Sequence, residues 1–245
     1  TLNAFIGFMI EINNLHKNFG KLEVLNNVNL SFNKGECIAL IGPNGCGKTT
    51  LIKSILGMVI PTKGTIKVKG ELVSQNYQYR KQIGYMPQIG RYPDNMTIGQ
   101  IIDMIKDIRK SDQVLDEELL HQYLSNEMFD KRMRTLSGGT TQKVSATLAF
   151  LFNPDILILD EPTAGLDPLA SEILKEKIIT EKQKGKLILI TSHLLSELDD
   201  LITHVVFMQD GHVKFHKTIS DLKETTGEEK ISKAIANVLR NKGNE

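Results

Sequence analysis

Cysteine is scarce, with Cys37 and Cys46 the 2 in 245 residues, and a pair is too few for a disulfide framework. One sits early in an apolar run and the other in the loop beyond it. An extended chain between them holds them too far apart to bridge, so both are expected as reduced thiols. Long apolar runs are missing as well. Stretches such as Ala149-Phe150-Leu151-Phe152 and Ile156-Leu157-Ile158-Leu159 fall far short of the ~20 residues that span a bilayer. No sign of charge dominates: 30 basic residues face 29 acidic ones, for a net charge of +1. With no dense basic block, the charge pattern gives no footing for a nucleic-acid partner. Thr1–Phe8 has neither a Met nor a cationic flank and is too short for a secretory signal. Met9 reads as the start, with Thr1–Phe8 a remnant or an upstream extension. What remains is 40% hydrophobic and 24% charged, the balance of a chain that buries a core in one large domain or two small ones.

One stretch organises the rest. The apolar run Cys37-Ile38-Ala39-Leu40-Ile41 leads into Gly42-Pro43-Asn44-Gly45-Cys46-Gly47-Lys48-Thr49, followed by the periodic Leu51-Ile52-Lys53-Ser54-Ile55-Leu56. This is strand, glycine loop, helix, and it fits the phosphate-binding pattern G-x-x-x-x-G-K-[ST]. Glycines let backbone N–H groups turn toward an anion, and the helix N-terminus adds unpaired donors. Lys48 would reach the β- and γ-phosphates and Thr49 would ligate Mg²⁺. A glycine-rich surface turn would explain neither flank.

Around that stretch the pattern is mixed. Met9–Leu15 and Val24–Phe32 alternate like half-buried strands, and Gly64–Gly70 reads as a short one. Ile83–Gln88 is a strand that Pro87 should end. From Thr97, a plausible N-cap, to about Leu124 the periodicity is helical. Leu136-Ser137-Gly138-Gly139 opens another helix; serine and glycine there serve as a cap or a second anion site. Ile156–Leu159 reads as a strand buried on both faces and delivers Asp160-Glu161 to its carboxyl end, where ligands bind in open α/β sheets. Asp160 would then hold Mg²⁺ and Glu161 accept a proton from attacking water. Leu187–Ile190 repeats this and delivers His193. Val205–Met208 and His212–His216 form an edge hairpin. His212 and His216 read as solvent-facing, with no third ligand near them. A helix is expected over Glu228 to about Arg240.

Taken in order, Gly42–Thr49, Gln88, Leu136-Ser137-Gly138-Gly139, Asp160-Glu161-Pro162, Gly165-Leu166-Asp167 and His193 resemble the nucleotide-binding domain of ABC-type ATPases over nearly the whole chain. The resemblance implies a P-loop NTPase α/β core with an antiparallel β subdomain and a helical signature subdomain. Residues 9–217 would be the ATPase domain, with 9–87 and 153–217 as core, 88–152 helical, and 218–245 a helical tail. It implies adenine stacking on Phe19 and phosphate binding by Gly42, Pro43, Asn44, Gly45, Cys46, Gly47, Lys48, Thr49 and Thr50. Mg²⁺ would be held by Thr49, Gln88 and Asp160. Ser137, Gly138 and Gly139 would cap the γ-phosphate on an opposite subunit. Glu161 would be the general base, with Gln88 and the switch histidine His193 completing the catalytic set. Asp167 falls in the loop that crosses the dimer interface. Thr140 stands where the family usually shows glutamine, which bears on coupling, and Cys46 puts an oxidisable thiol in the loop.

The implied activity is ATP hydrolysis by a head-to-tail dimer around two ATP molecules. It would drive a separate transmembrane permease from the cytoplasmic face of the inner membrane. Phe152-Asn153-Pro154-Asp155, Ile83-Gly84-Tyr85-Met86-Pro87-Gln88 and Thr163–Pro168 look similar to the copper-processing, nitrous-oxide-reductase maturation group, within a broader lineage of export ATPases. The alternative is a soluble ABC ATPase serving as an assembly factor of the iron–sulfur scaffold type. That type tends to depart from Asp-Glu-Pro-Thr, which this chain keeps at 160–163.

Overall fold

The computed structural model describes residues 7–110, 114–192 and 199–242; His193 lies outside the described residues. In chain order the elements begin β1 (Ile10–Phe19), β2 (Leu22–Phe32), β3 (Cys37–Ile41), α1 (Lys48–Ile55), β4 (Lys63–Val68), β5 (Glu71–Leu72) and β6 (Ile83–Met86). Next come α2 (Ile98–Arg109), α3 (Glu118–Tyr123), α4 (Gly138–Phe150), β7 (Ile156–Asp160), α5 (Pro168–Gln183) and β8 (Leu187–Thr191). The chain closes with β9 (His204–Gln209), β10 (His212–Thr218), α6 (Ile219–Thr226) and α7 (Ile231–Lys242). Two compact units result, one from the chain up to Tyr79 and from Leu189 onward, the other Arg80–Ile188.

In the first unit an antiparallel sheet runs β2-β1-β4-β5. Its register sets Ile10 opposite Phe32 and Val68, and Ile12 opposite Leu30 and Ile66. Alternation thus gathers one apolar face, and all six of these side chains are buried. A second set of strands places β9 parallel to β3 and antiparallel to β10. β3 is buried at all five positions, as expected of a strand covered on both faces.

The second unit pairs β6 with β7 in parallel, Tyr85 opposite Ile158. α2 starts in a complete capping box, with the Thr97 hydroxyl accepting from the Gln100 N–H and the Gln100 side chain accepting from the Thr97 N–H. α5 begins at Pro168 after an Asp167 cap.

Three local expectations change. The helical stretch from Thr97 is two helices, because Lys110 adopts the left-handed conformation at φ 41° and ends α2. The C-terminal stretch is also two, α6 being capped by Thr218 and stopped by left-handed Gly227 ahead of α7. His216 does not face solvent. Its ring packs edge-on against Phe32 at 5.8 Å and lies 5.6 Å from His204, with a buried Nε2 that makes no hydrogen bond.

Candidate nucleotide site

In the first unit the glycine loop is held open by its neighbours. Gly42 and Gly47 sit at φ 149° and 106°, a region L side chains avoid. A Cβ at Gly42 would strike the Met208 carbonyl, and one at Gly47 would lie 2.7 Å from the Val24 carbonyl oxygen. The β9–β10 turn braces the loop, since the Gly211 N–H donates to the Cys46 carbonyl at 3.2 Å. Gly47 caps α1 without a side-chain hydrogen bond, and no acid stands in the first turn. That terminus keeps its unpaired donors and partial positive charge for an anion.

Lys48 lies across this loop. Its Nζ donates to the Gly42 carbonyl at 2.7 Å and the Pro43 carbonyl at 3.2 Å, and sits 3.9 Å from Cys46 Sγ. Pro43, Asn44, Gly45 and Thr49 are exposed, Thr50 is half-buried, and Cys46 is buried as a free thiol. An ammonium set across an exposed glycine loop suits a phosphate chain and offers little to a neutral ligand. Phe19, at the end of β1, keeps 50% of its surface exposed, and Lys17 Nζ stands 4.7 Å from its ring centroid. The ring retains area on which a base can stack.

In the second unit β7 is buried at every position and ends on Asp160, itself 8% exposed. The Tyr85 hydroxyl is pushed up to about 12 by burial and then by the negative charge of Asp160. Glu161, the next residue, takes the left-handed conformation at φ 52°, an uncommon state for a non-glycine residue. The residues from Glu161 to Asp167 fold into two consecutive turns, Ala164 N–H to the Glu161 carbonyl at 3.1 Å and Leu166 N–H to the Thr163 carbonyl at 3.2 Å.

Gln88 is exposed two residues past β6. Its loop is tied to α4 by Tyr92, whose hydroxyl shares a 2.9 Å hydrogen bond with Ser145. Ser137 is the N-cap of α4. Its hydroxyl accepts from the Thr140 N–H at 3.2 Å and pairs with the Thr140 hydroxyl at 2.9 Å. Gly138 is open on its Cα side, whereas a Cβ at Gly139 would lie 2.7 Å from the Gly165 carbonyl oxygen. The structure thus places the Ser137 hydroxyl as a helix cap, the first of its two readings.

Within the first unit Gly42, Pro43, Cys46 and Lys48 lie against one another; within the second, Gly139 abuts Gly165. Pattern reading missed Lys143, whose Nζ reaches Asp167 Oδ2 at 2.7 Å. It also missed a buried ion cluster around Lys177 and Glu181. Both involve residues that look like ordinary charged positions on helix surfaces.

The family model described as ABC transporter matches residues 25–164. The chain is 32% identical over 230 residues to the ABC transporter ATP-binding protein YhaQ of Bacillus subtilis, covering 91% of this chain and 76% of that one. It is 33% identical to the Nod factor export ATP-binding protein I of Burkholderia lata, with 82% and 68% covered. It is 32% identical to the lantibiotic transport ATP-binding protein SrtF of Streptococcus pyogenes, with 85% and 90% covered. A solved ATP-binding subunit of an ABC transporter superposes with TM-score 0.87 at 28% identity, covering 94% of this chain and 99% of that chain. A dimeric ATP-binding cassette bound to ADP and Pi shares the fold at TM-score 0.76 and 22% identity, with 86% and 99% covered. These relatives lend no support to the copper-processing group. The chain belongs to the ABC transporter family, as one of its ATP-binding, ATP-hydrolysing domains.

Proposed function

We propose that this ATPase energises a separate membrane permease, acting as a homodimer around two ATP molecules, and that the transport is export. The observation that carries the reading is the α1 N-terminus at Lys48, which has no side-chain cap and no acid in its first turn. The direction rests on similarity to a Nod factor export subunit. The dimer rests on the shared fold with a dimeric cassette bound to ADP and Pi. Among the described residues no helix is long and apolar enough to cross a membrane.

The residue roles follow the same reading. Gly42–Thr50 hold the phosphates, and Phe19 stacks on the adenine. Thr49, Asp160 and Gln88 offer the oxygen donors that a hard cation such as Mg²⁺ prefers. Among the described residues no group of three or more His, Cys, Asp or Glu could hold a metal. A Mg²⁺ shared with substrate phosphates fits such a set better than an all-protein cage. Bound there, Mg²⁺ would neutralise charge on the transferred phosphoryl group. Glu161 takes the proton from attacking water. Ser137, Gly138 and Gly139 cap the γ-phosphate of the opposite subunit. His193 is assigned a γ-phosphate contact on its sequence position alone. Residues 9–87 and 153–217 act as the core, 88–152 as the helical part and 218–245 as the tail. We place the subunit peripherally on the cytoplasmic face of the inner membrane.

Co-purification of the tagged chain from native membranes tests the permease. A multi-span membrane protein is the expected companion. Soluble assembly proteins alone would overturn the transporter reading in favour of an assembly factor.

A further inference from the structure

Lys143 and Asp167 join two segments to which the proposed mechanism assigns separate work. Lys143 lies in α4, one turn beyond the Ser137–Gly139 cap. Asp167 ends the loop that starts at Glu161. The Nζ to Oδ2 distance is 2.7 Å, and this hydrogen bond, followed by the Ala170 N–H, holds the Asp167 carboxyl below its usual range. The two oxygens of Asp167 divide their roles, because Oδ1 accepts from the Ala170 N–H at 2.9 Å and so caps α5. Two further contacts run beside the pair. Gly139 abuts the Gly165 carbonyl closely enough to exclude a Cβ. The Tyr123 hydroxyl donates to the Ala170 carbonyl at 2.6 Å, with its ring centroid 5.9 Å from Lys143 Nζ.

The pair is partly exposed, Lys143 at 25% and Asp167 at 52%, so it adds little to stability. Its position gives it another use. The Glu161–Asp167 loop contains left-handed residues at both Glu161 and Gly165. Such a loop holds one geometry only when its surroundings over-determine it. β7 fixes its first residue and the α5 cap fixes its last. The charge on Lys143 ties that last residue to α4, and so to the turn carrying Ser137.

We propose that Lys143 is a positioning residue for ATP hydrolysis: its ion pair with Asp167 sets the loop that bears Glu161 against the Ser137–Gly139 turn. The inference rests on the reading of Glu161 as the base.

The test is steady-state ATPase kinetics and thermal unfolding of the 245-residue chain and four variants: Lys143→Ala, Lys143→Arg, Asp167→Asn, and Lys143→Ala with Asp167→Asn. Asparagine keeps the helix cap and removes only the charge. Small displacements of a catalytic group are costly, so kcat should fall about threefold to tenfold in Lys143→Ala and Asp167→Asn. KM should stay within about twofold, because the pair contributes to positioning and not to uniform binding. Thermal midpoints should be nearly unchanged, Lys143→Arg should stay close to native, and the double variant should lose no more than either single one. A native kcat in Lys143→Ala, or single losses that multiply in the double variant, would overturn the proposal. A native chain without ATPase activity would overturn the functional reading and the inference with it.

Discussion

Replacing Lys177 by Met should cost about 3 kcal/mol of stability, although the residue is remote in sequence from every proposed nucleotide contact. Lys177 is 1% exposed and its Nζ meets Asp116 Oδ2 at 2.6 Å, Glu118 Oε2 at 2.7 Å and Glu181 Oε1 at 3.1 Å. Glu181 is fully buried and also pairs with Lys184 and Lys186. Burial alone would raise its carboxyl; the three ammonium groups reverse this and hold it at about 2. For Lys177, burial lowers the ammonium and the three carboxylates override that, holding it above its usual range. Methionine retains most of the stem volume, so the loss is electrostatic. Removing one partner of a buried pair costs about 3–5 kcal/mol because the other is left uncompensated. Glu118 is 49% exposed and water takes over there; Glu181 keeps two lysines. The burden falls on Asp116, at 14% exposed, which places the cost near the low end of that range. For a chain of this size it corresponds to a thermal midpoint about 6–12 °C lower, read by far-ultraviolet circular dichroism. The sign with pH is also set. A carboxyl with a depressed folded pKa stabilises above its unfolded value of 4.5, and that contribution is lost as pH falls toward 2. The variant lacks the part of that contribution Lys177 supplies, after Lys184 and Lys186, so the gap between native and variant midpoints should narrow as pH falls from 4.5 toward 2. A midpoint within 2 °C of native at pH 7, or a gap that widens on acidification, would refute the reasoning.

Two further outcomes follow from the first unit. Gly47→Ala forces a Cβ to 2.7 Å from the Val24 carbonyl at φ 106°, a strain of about 1–3 kcal/mol at the phosphate loop. Titration with a fluorescent ATP analogue should show at least about tenfold weaker binding, and native affinity would contradict the geometry. His216 is held below 6.5 by burial and then by the neighbouring His204, partly offset by Glu36. The unfolded chain therefore binds the proton more readily, and stability falls as pH drops through 6.5. The thermal midpoint of His216→Leu should decline less between pH 7.5 and pH 5.5 than the native one; parallel curves would count against it.

Strands β3, β7 and β8 were readable because each is buried at every position, and full burial writes an unbroken apolar run into the sequence. The caps at Thr97 and Ser137 were readable for a similar reason, since each places a hydroxyl directly before a periodic segment. What escaped reading depends on partners far along the chain. Nothing near Lys143 announces Asp167, 24 residues away. Lys177 and Glu181, four apart on α5, look like a solvated helical pair, and their burial comes from Asp116 and Lys186 approaching from elsewhere. The break at Lys110 lies in a residue with no intrinsic preference for the left-handed state, so periodicity ran past it. The left-handed Glu161 is likewise invisible in sequence, where Asp-Glu is an ordinary pair of acids.

The central claim is that this chain hydrolyses ATP with Glu161 as the general base. Its most direct test is Glu161→Gln, assayed for Mg²⁺-ATP turnover and, in the same preparation, for mass in solution with and without ATP. Loss of a general base removes about 10²–10⁴-fold of rate, so turnover should fall by at least about a hundredfold. Nucleotide binding should persist and an ATP-dependent dimer accumulate. Unchanged turnover in Glu161→Gln would contradict the account.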